Sequence, residues 1–394
     1  MSLKQKPTFV FSVITTMAIA LGALLCALTL AYVMLFKPLP YADQNRLFTV
    51  EHQLVNQNNN VDGTAFTYPN LMHLYHHQKI FEQSALLYVD GGIVTSIPAE
   101  PMVEISFVTP SWFTLFGAKP HLGRLFNENE SIGQYNPVAI ITYESWQTTF
   151  KKDKNIIGKS IAFGDKSYTV VGVLSDDYYP PKIAGAGYQA QLFIPWDFNT
   201  VSEYDRKQWG NDDGSLMYVG KLSSQQAKVG SENAYSQALT QLVNNNWQNE
   251  VTGRAFFTDW RIQMQVHLLA DTIVGKSKYS AYLLVAGALG LALIACANIA
   301  NLFVSRTAQR QRQLSIQAAL GASKKQLYFE LIIESSLLMV FSVVLAQAVA
   351  VFGFELMKHY FGSYIPRINE LQLSVFSYLI SVVIMITTTF AFSL

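Results

Sequence analysis

Four long stretches of this chain contain no charged residue, and each of them is predominantly apolar. They cover residues 7–36, 279–305, 335–354 and 371–394. A helix needs about 20 mostly apolar residues to cross a hydrocarbon core of roughly 30 Å. The pattern therefore predicts a membrane protein with four transmembrane α-helices in a 1+3 arrangement, with a long polar insert between the first and second helices.

The boundaries of the predicted segments follow the charge-free stretches closely, except that the third stretch is extended at both ends to give a full span. The segments are a cytoplasmic N-terminus (1–6), transmembrane helix 1 (7–36), a periplasmic insert (37–278), transmembrane helix 2 (279–305), a cytoplasmic coupling loop (306–327), transmembrane helix 3 (328–357), a short periplasmic loop (358–371) and transmembrane helix 4 (372–394). Both cysteines, Cys26 and Cys296, fall inside apolar stretches. The insert therefore has no disulfide framework and must be stabilised by its own buried core.

The orientation follows from lysine and arginine in the short loops. Lys4 and Lys6 precede the first apolar stretch, and the loop 306–327 contains five basic residues and no acidic one. Because short loops rich in Lys and Arg stay in the cytoplasm, we expect the N-terminus inside and the insert outside.

A signal sequence is the alternative interpretation of the first stretch. Its apolar run of 30 residues exceeds the roughly 7–15 residues of a signal peptide's hydrophobic region. A lipoprotein signal would place a small residue before Cys26, where Leu25 stands. We therefore expect an uncleaved helix.

The insert shows short alternating and β-branched runs separated by turn residues. Strands are predicted at 46–54, 102–108, 138–142, 159–163, 168–174, 192–195, 216–222 and 262–268, and helices at 68–81, 110–116, 143–150 and 225–246. Gly164 and its neighbours indicate a hairpin between two of these strands. Strands interleaved with short helices predict an α+β insert built of small β-α-β units.

Residues able to bind a nucleotide or a metal give only weak signals. Residues 158–160 and 275–277 (both Gly-Lys-Ser) end like a P-loop, but the glycine five residues earlier is missing from both, so we predict no ATPase in this chain. His73, His76 and His77 have metal-ligand spacing on one predicted helix, although a solvated helix face is the better interpretation. The net charge of +1 gives no reason to expect a nucleic-acid partner. We predict no catalytic residue, metal or cofactor.

The second apolar stretch and the basic loop after it are more informative. Asn298 and Asn301 lie three residues apart, and hence on one helix face, where amides can bond across helices or be hydrated near the headgroups. After them a run of helix formers continues to Leu320, and Gly321 with Ala322 can end that helix. Arg306, Arg310 and Arg312 lie in this run. The segment suits a groove on a cytoplasmic partner; the alternative is an amphipathic loop that binds membrane lipid.

Several of these segments resemble the MacB/FtsX-like ABC transporter permeases. The matching segments are 37–41 (Lys-Pro-Leu-Pro-Tyr), 108–117, Gly123-Arg124, 168–173, 294–302 (Ile-Ala-Cys-Ala-Asn-Ile-Ala-Asn-Leu), Arg306, 319–323 (Ala-Leu-Gly-Ala-Ser) and Glu334-Ser335. The resemblance covers almost the whole chain in the expected order. It is closest to the large permeases in which two such halves are fused.

The resemblance implies a division of labour between several subunits. A separate cytoplasmic ABC ATPase would drive the permease, and two permease units, as a homodimer or fused halves, would work together in the bacterial inner membrane. Motion would pass to the periplasmic domain by mechanotransmission, with a possible periplasmic adaptor. The implied ATPase-coupling residues are Arg306, Arg310, Arg312, Leu320, Gly321 and Ala322, and the implied helix-packing residues are Asn298, Asn301 and Glu334.

Two departures from the family pattern leave rival functions open. Gln313 and Gln317 stand where the family usually has charged residues, which weakens charge-assisted contacts with an ATPase. The sequence also stops at Leu394 within the fourth apolar stretch, so we expect a truncated or partial permease. The rivals are an FtsX-like regulator of a periplasmic cell-wall hydrolase and an orphan permease that transports nothing.

Overall fold

The chain divides into two compact units, which are joined by two linkers. The structure is a computed structural model and describes residues 7–98, 100–185, 187–254, 257, 259–275, 277–319, 324–362 and 364–393. The helix unit comprises Met1–Pro38 and Val274–Leu394, and the insert unit comprises Leu39–Ile273.

The helix unit is built of long, apolar helices. They are α1 (Pro7–Leu35), α8 (Ser277–Ala319), α9 (Lys324–Phe361) and α10 (Val375–Ser393). Among the described residues, three stretches within them, Val10–Leu35, Ser277–Ala297 and Ser336–Phe361, are long and apolar enough to cross a membrane, and Val375–Thr387 is a shorter apolar helix. Helix α1 is central, because 67% of its apolar window is buried against 22% for α8. Backbone groups in a bilayer must be bonded within the segment, which is why these apolar runs become helices.

The insert unit contains thirteen strands and six helices among its described residues. The strands are β1 (Leu47–Asn56), β2 (Val61–Gly63), β3 (Phe66–Thr67), β4 (Phe81–Ile93), β5 (Met102–Val108), β6 (Pro120–Gly123), β7 (Val138–Ile141), β8 (Ser160–Phe163), β9 (Lys166–Leu174), β10 (Leu192–Pro195), β11 (Asp212–Asp213), β12 (Leu216–Leu222) and β13 (Trp260–Leu268). The helices are α2 (Tyr68–His77), α3 (Ser111–Leu115), α4 (Tyr143–Thr148), α5 (Gln226–Val229), α6 (Glu232–Val251) and α7 (Leu269–Val274). The predicted fold class, a 1+3 helix arrangement with a large α+β insert, is confirmed.

Eleven of the strands form one mixed sheet with the order β13-β1-β12-β4-β5-β10-β7-β9-β6, to which β2 and β8 add at β1 and β9. The pairs β5–β10 and β7–β9 are parallel, and the connection from β7 to β9 runs through helix α4 and strand β8. Both faces are buried: in β4, Leu86 and Tyr88 face one core while Ala85 and Leu87 face the other.

The longest strand differs from the sequence prediction. Helix α2 ends at His77 instead of residue 81, and Phe81 begins β4. The Gln78 side chain accepts hydrogen bonds from the backbone N–H groups of Ile80 (2.9 Å) and Phe81 (2.8 Å), which turns the chain out of the helix. Strand β4 is buried on both faces at residues 85–88, so it lacks the alternation that marks a half-buried strand.

Helix α6 protects the free edge of the sheet. Three of its polar side chains, spaced four residues apart, accept hydrogen bonds from backbone N–H groups of the edge strand β13. The pairs are Ser236 Oγ with Val266 N (2.9 Å), Thr240 Oγ1 with Met264 N (2.9 Å) and Asn244 Oδ1 with Ile262 N (3.1 Å). Unpaired strand edges invite association with other chains, and the helix satisfies this one internally.

Candidate functional site

The helices on either side of the predicted coupling loop extend well beyond their apolar stretches. Helix α8 runs without a break from Ser277 to Ala319, 43 residues, although its charge-free stretch ends at Ser305. Helix α9 starts at Lys324, before its charge-free stretch begins at Ser335. At 1.5 Å per residue, α8 is roughly 64 Å long, about twice the hydrocarbon thickness of a bilayer. Each helix therefore continues beyond its charge-free stretch into a segment that carries charged residues.

The predicted coupling residues lie in or next to the part of α8 that follows its charge-free stretch, residues 306–319. Arg306, Arg310 and Arg312 belong to helix α8, but their side chains lie outside what the structure describes. Leu320, Gly321 and Ala322 fall wholly outside the described residues, as does the predicted helix break at that point. The assignment of these six residues to ATPase coupling therefore stays a prediction.

The predicted packing residues are placed on helices without a described contact. Asn298 and Asn301 lie in α8 and Glu334 lies in α9. The side chain of Asn301 is exposed, while those of Asn298 and Glu334 lie outside the described set. Their role in helix packing also stays a prediction.

Glycines set the close approach of α1 and α9. A Cβ atom added at Gly22 would lie 2.6 Å from Val349 Cγ1 and 3.0 Å from the carbonyl oxygen of Ala346. One turn along, a Cβ added at Gly353 would lie 2.7 Å from the Cys26 sulfur. Without a Cβ at these points the two helices pack almost backbone to backbone, as small residues allow in membranes.

The spacing of small residues in the sequence is a signal for this packing. Gly22 and Cys26 in α1, and Ala346 and Ala350 in α9, each place small residues four apart on one helix face. Such small-xxx-small pairs are typical of closely packed membrane helices. The Cys26 thiol lies 3.5 Å from the carbonyl oxygen of Ala350, so both pairs lie in the same interface.

In the insert unit, the segments that carry the family resemblance are structural. Gly117 has φ +64° and Gly123 has φ +70°, in the left-handed region that glycine occupies without cost. A Cβ at Gly172 would lie 2.2 Å from the Arg124 carbonyl oxygen, and one at Gly123 would lie 2.1 Å from the Val171 carbonyl oxygen. Gly123 and Gly172 let β6 and β9 approach each other. Their role is structural and points to no reaction.

The buried Glu130 is held by a dense set of donors beside that turn. It accepts two hydrogen bonds from the Arg124 guanidinium (3.0 and 2.9 Å), one from the Asn127 backbone N–H (2.8 Å) and one from the Asn136 amide (2.8 Å). Burial raises the pKa of Glu130, but the Arg124 hydrogen bond and the other donors outweigh it and leave the pKa below 4.5. The carboxylate thus stays charged and fixes the loop after β6.

A cavity of about 190 Å³ opens in the insert unit where β1 and β12 diverge. His52 contributes to its wall and is only 2% exposed. Its Nε2 lies 3.3 Å from the Asn70 amide nitrogen, and its Nδ1 has no hydrogen-bond partner among the described residues. Burial lowers the pKa of His52 to about 4, against a smaller opposing effect of the Ala65 and His52 carbonyl groups. The imidazole is therefore neutral near pH 7, and His52 offers the cavity hydrogen bonding and not charge.

The three histidines with metal-ligand spacing are arranged differently from a metal site. The His73 and His77 rings stack at 4.4 Å, and His77 Nδ1 lies 2.9 Å from the His73 carbonyl oxygen. Among the described residues, no group of three or more His, Cys, Asp or Glu side chains is placed to hold a metal ion.

The first P-loop-like segment has the wrong local structure for phosphate. Gly158 and Lys159 form a turn, and Ser160 starts strand β8, whereas a P-loop leads into a helix N-terminus. Lys159 forms an ion pair with Asp153. In the second segment, Lys276 lies outside the described residues.

Comparison with family models assigns both units. Residues 12–242, more than half of the chain, match the model of the MacB-like periplasmic core domain. Residues 285–394 match the FtsX-like permease C-terminal domain. The chain belongs to the MacB/FtsX-like permease family. The first match covers most of the insert unit together with most of α1, and the second covers most of α8 with all of α9 and α10.

A curated relative supports the same family. The macrolide export ATP-binding/permease protein MacB of Campylobacter jejuni subsp. jejuni serotype O:23/36 (strain 81-176) is 19% identical over 242 residues. The match covers 61% of this chain and 34% of the relative, so the chain spans about a third of the length of that protein.

Solved structures of periplasmic or extracellular domains are similar to part of the chain. A domain of a protein assigned as a permease from Porphyromonas gingivalis has 13% identity and a TM-score of 0.42, covering 59% of this chain and 92% of that one. The periplasmic region of MacB from Actinobacillus actinomycetemcomitans has 16% identity and a TM-score of 0.36, covering 55% and 87%. The extracellular domain of the noncanonic ABC-type transporter YknZ from Gram-positive bacteria has 14% identity and a TM-score of 0.36. The match covers 54% of this chain and 98% of that one.

Proposed function

We propose that this chain is the permease subunit of an ABC transporter of the bacterial inner membrane and works as a mechanical relay. A separate cytoplasmic ATPase would close on ATP, and the helix unit would pass that motion to the periplasmic domain. The substrate would already lie in the periplasm and would be moved onward by the domain. Efflux or export in this manner needs no reactive group in the chain.

The observation that carries this proposal is the length of α8. Beyond Ser305, where its charge-free stretch ends, the helix continues through residues 306–319, adding roughly 21 Å at 1.5 Å per residue. Because this part contains Arg306, Arg310 and Arg312, the positive-inside rule places it in the cytoplasm together with the N-terminus. A continuous helix that crosses the bilayer and projects beyond it can transmit a push without bending at the membrane surface.

The chain's connectivity supports a relay to the periplasmic domain. The insert unit follows α1 and precedes α8, so both helices lead into it. Helix α1 is buried against α8 and α9 through its length, with Val13, Met17 and Leu21 among its buried residues. A displacement of α8 or α9 therefore acts on α1, and through both linkers on the domain. A second permease unit and a periplasmic adaptor would complete the assembly.

The test is recovery of an ATPase by the full chain in detergent. The purified chain should retain an ABC ATPase from its own host, identified by mass spectrometry. Replacing Leu320 and Gly321 with glutamate should abolish that retention, because two charges would enter the predicted contact. The matched control, Asn60→Glu with Val61→Glu, puts the same charges at exposed positions of the insert unit and should retain the ATPase.

Two results would contradict the proposal in different ways. If the chain retains no ABC ATPase, the transporter function itself is wrong. If the ATPase binds the Leu320 and Gly321 variant as well as the control, the function stands and the coupling assignment is wrong.

A further inference from the structure

We propose that Arg367 is a positioning residue that locks the periplasmic end of helix α1 to the segment between α9 and α10. The locked elements would move as one body when the helix unit moves, so that displacement of α9 and α10 reaches the entry to the periplasmic domain without loss. This inference rests on the proposed relay function and names the joint through which the relay works.

The guanidinium of Arg367 binds the chain just beyond the end of helix α1. Helix α1 ends at Leu35, and Arg367 Nη1 and Nη2 donate hydrogen bonds to the backbone carbonyls of Lys37 (2.6 Å) and Pro38 (2.8 Å). These carbonyls belong to two residues that lead from the helix toward the insert unit, and the several N–H groups of one guanidinium can bond to both at once. The insert unit begins one residue later, at Leu39.

A carboxylate completes the joint and pairs with both cations. Glu370 accepts hydrogen bonds from Arg367 Nε (2.7 Å) and Nη2 (3.1 Å), and its Oε2 lies 2.9 Å from Lys37 Nζ. The side chains of Arg367 and Glu370 are only 6% and 11% exposed. Screening by water is therefore weak, and the two-pronged geometry needs the planar fork of arginine, which lysine lacks.

The backbone of Arg367 shows that the side chain, and not the turn, is what the site requires. Its φ and ψ of 60° and 9° lie in the left-handed region, which is uncommon for any residue except glycine. Glycine would form this turn with less strain. A residue whose only role was to form the turn would therefore be replaced by glycine without loss.

Contacts further along α1 extend the joint into the first turns of α10. The rings of Tyr32 and Phe376 stack with centroids 4.0 Å apart and planes 16° apart. The hydroxyls of Thr29 and Ser377 lie 3.3 Å apart, and both residues are 2% exposed. Together with Arg367, these contacts run in one line along the periplasmic half of α1. Several contacts in a line resist rotation as well as separation.

The experiment measures one distance across the joint in the full chain, reconstituted in nanodiscs with its ATPase. Spin labels on Phe36→Cys and Tyr364→Cys use two exposed positions, one on each side, in a background with Cys26→Ala and Cys296→Ala. In the otherwise native chain we expect a narrow distance distribution whose mean does not shift between the nucleotide-free and vanadate-trapped states.

Two variants should loosen the joint. Arg367→Gly and Glu370→Gln should each broaden the distribution already without nucleotide, and ATP should then shift its mean. Arg367→Lys should give a distance distribution that is narrower than that of Arg367→Gly but broader than that of the native residue. The control Glu355→Gln removes an ion pair with Lys358 at the same end of α9, where Glu355 is 67% exposed, and should leave the distribution narrow.

The outcomes separate this inference from the proposed function. A narrow distribution in Arg367→Gly would show that Arg367 does not lock the joint. An ATP-dependent shift in the otherwise native chain would show that the joint opens and is not one body. Absence of ATPase binding would defeat the relay function alone, because the nucleotide-free measurement still tests the lock.

Discussion

Gly22 is the position where the packing of the helix unit can be tested most directly. Replacing it with alanine adds one methyl group, 2.6 Å from Val349 Cγ1, 2.8 Å from Val349 Cβ and 3.0 Å from the Ala346 carbonyl oxygen. Ordinary contacts begin near 3.4 Å, so α1 and α9 would have to separate by roughly 0.8 Å in a region packed as closely as a crystal.

The cost follows from two opposing effects. Overpacking a well-filled interface costs about 1–3 kcal/mol, whereas alanine in place of glycine favours the helix by about 0.5–1 kcal/mol. Gly287 in α8 provides the matched control, because a Cβ there meets nothing within 4 Å. Helix propensity cancels between the two alanine variants. We therefore expect Gly22→Ala to be less stable than Gly287→Ala by about 1–3 kcal/mol.

The assay is unfolding of the full chain in detergent micelles by titration with sodium dodecyl sulfate, followed by circular dichroism. A double variant, Gly22→Ala with Val349→Ala, should recover part of the lost stability, because it removes Val349 Cγ1 but leaves Val349 Cβ and the Ala346 carbonyl in place. Equal free energies of unfolding for Gly22→Ala and Gly287→Ala would refute the close packing of α1 and α9.

Three further predictions concern other buried contacts, each measured by unfolding of the full chain. Gly353→Ala should destabilise the protein less than Gly22→Ala, and adding Cys26→Ala should restore the lost stability fully. The reason is that, among the described residues, the Cys26 sulfur is the one atom that a Cβ at Gly353 meets within 4 Å. A double variant that stays destabilised would contradict this. Because the pKa of His52 is lowered to about 4 from 6.5, the unfolded chain takes up the proton first, so stability should fall as the pH drops from 6.5 to 4, by up to about 1.4 kcal/mol per pH unit. His52→Gln should flatten that slope, and an unchanged slope would count against the assignment. Because the pKa of Glu130 is also lowered, its contribution is present above pH 4.5 and lost as the pH falls through the lowered value; Glu130→Gln should cost about 1–3 kcal/mol at pH 7 and show a weaker loss in acid, whereas a variant as stable as the parent would contradict the buried role.

Local patterns predicted much of the insert unit, because they depend on a few neighbouring residues. Strands β5, β10 and β12 have the predicted bounds, and Gly164, with φ +58°, lies in the predicted hairpin between β8 and β9. Strand β4 was missed, because burial on both faces removes the alternation. The predicted helix 225–246 is two helices, separated by Gly230 and restarted by Ser231, whose hydroxyl accepts from the Ala234 N–H.

The candidate site could be predicted only where it depends on composition. Arginines in a helical run after an apolar stretch mark the coupling segment without any tertiary information. The joint at Arg367 could not be found in this way, because Arg367 and Lys37 are 330 positions apart in the chain. In the sequence Arg367 is one more charge in a short loop, and its partners are backbone carbonyls, which every residue has.

The sequence by itself determined that the chain crosses a membrane with a 1+3 arrangement of helices. In a bilayer an apolar run has one stable solution, a helix whose backbone groups are bonded internally. Only the tertiary structure decided that β1 lies between β12 and β13, that Gly22 faces Val349, and that Arg367 binds the chain just after α1. These contacts join residues far apart in the chain, and they depend on shape and on exposed backbone groups that no local pattern encodes.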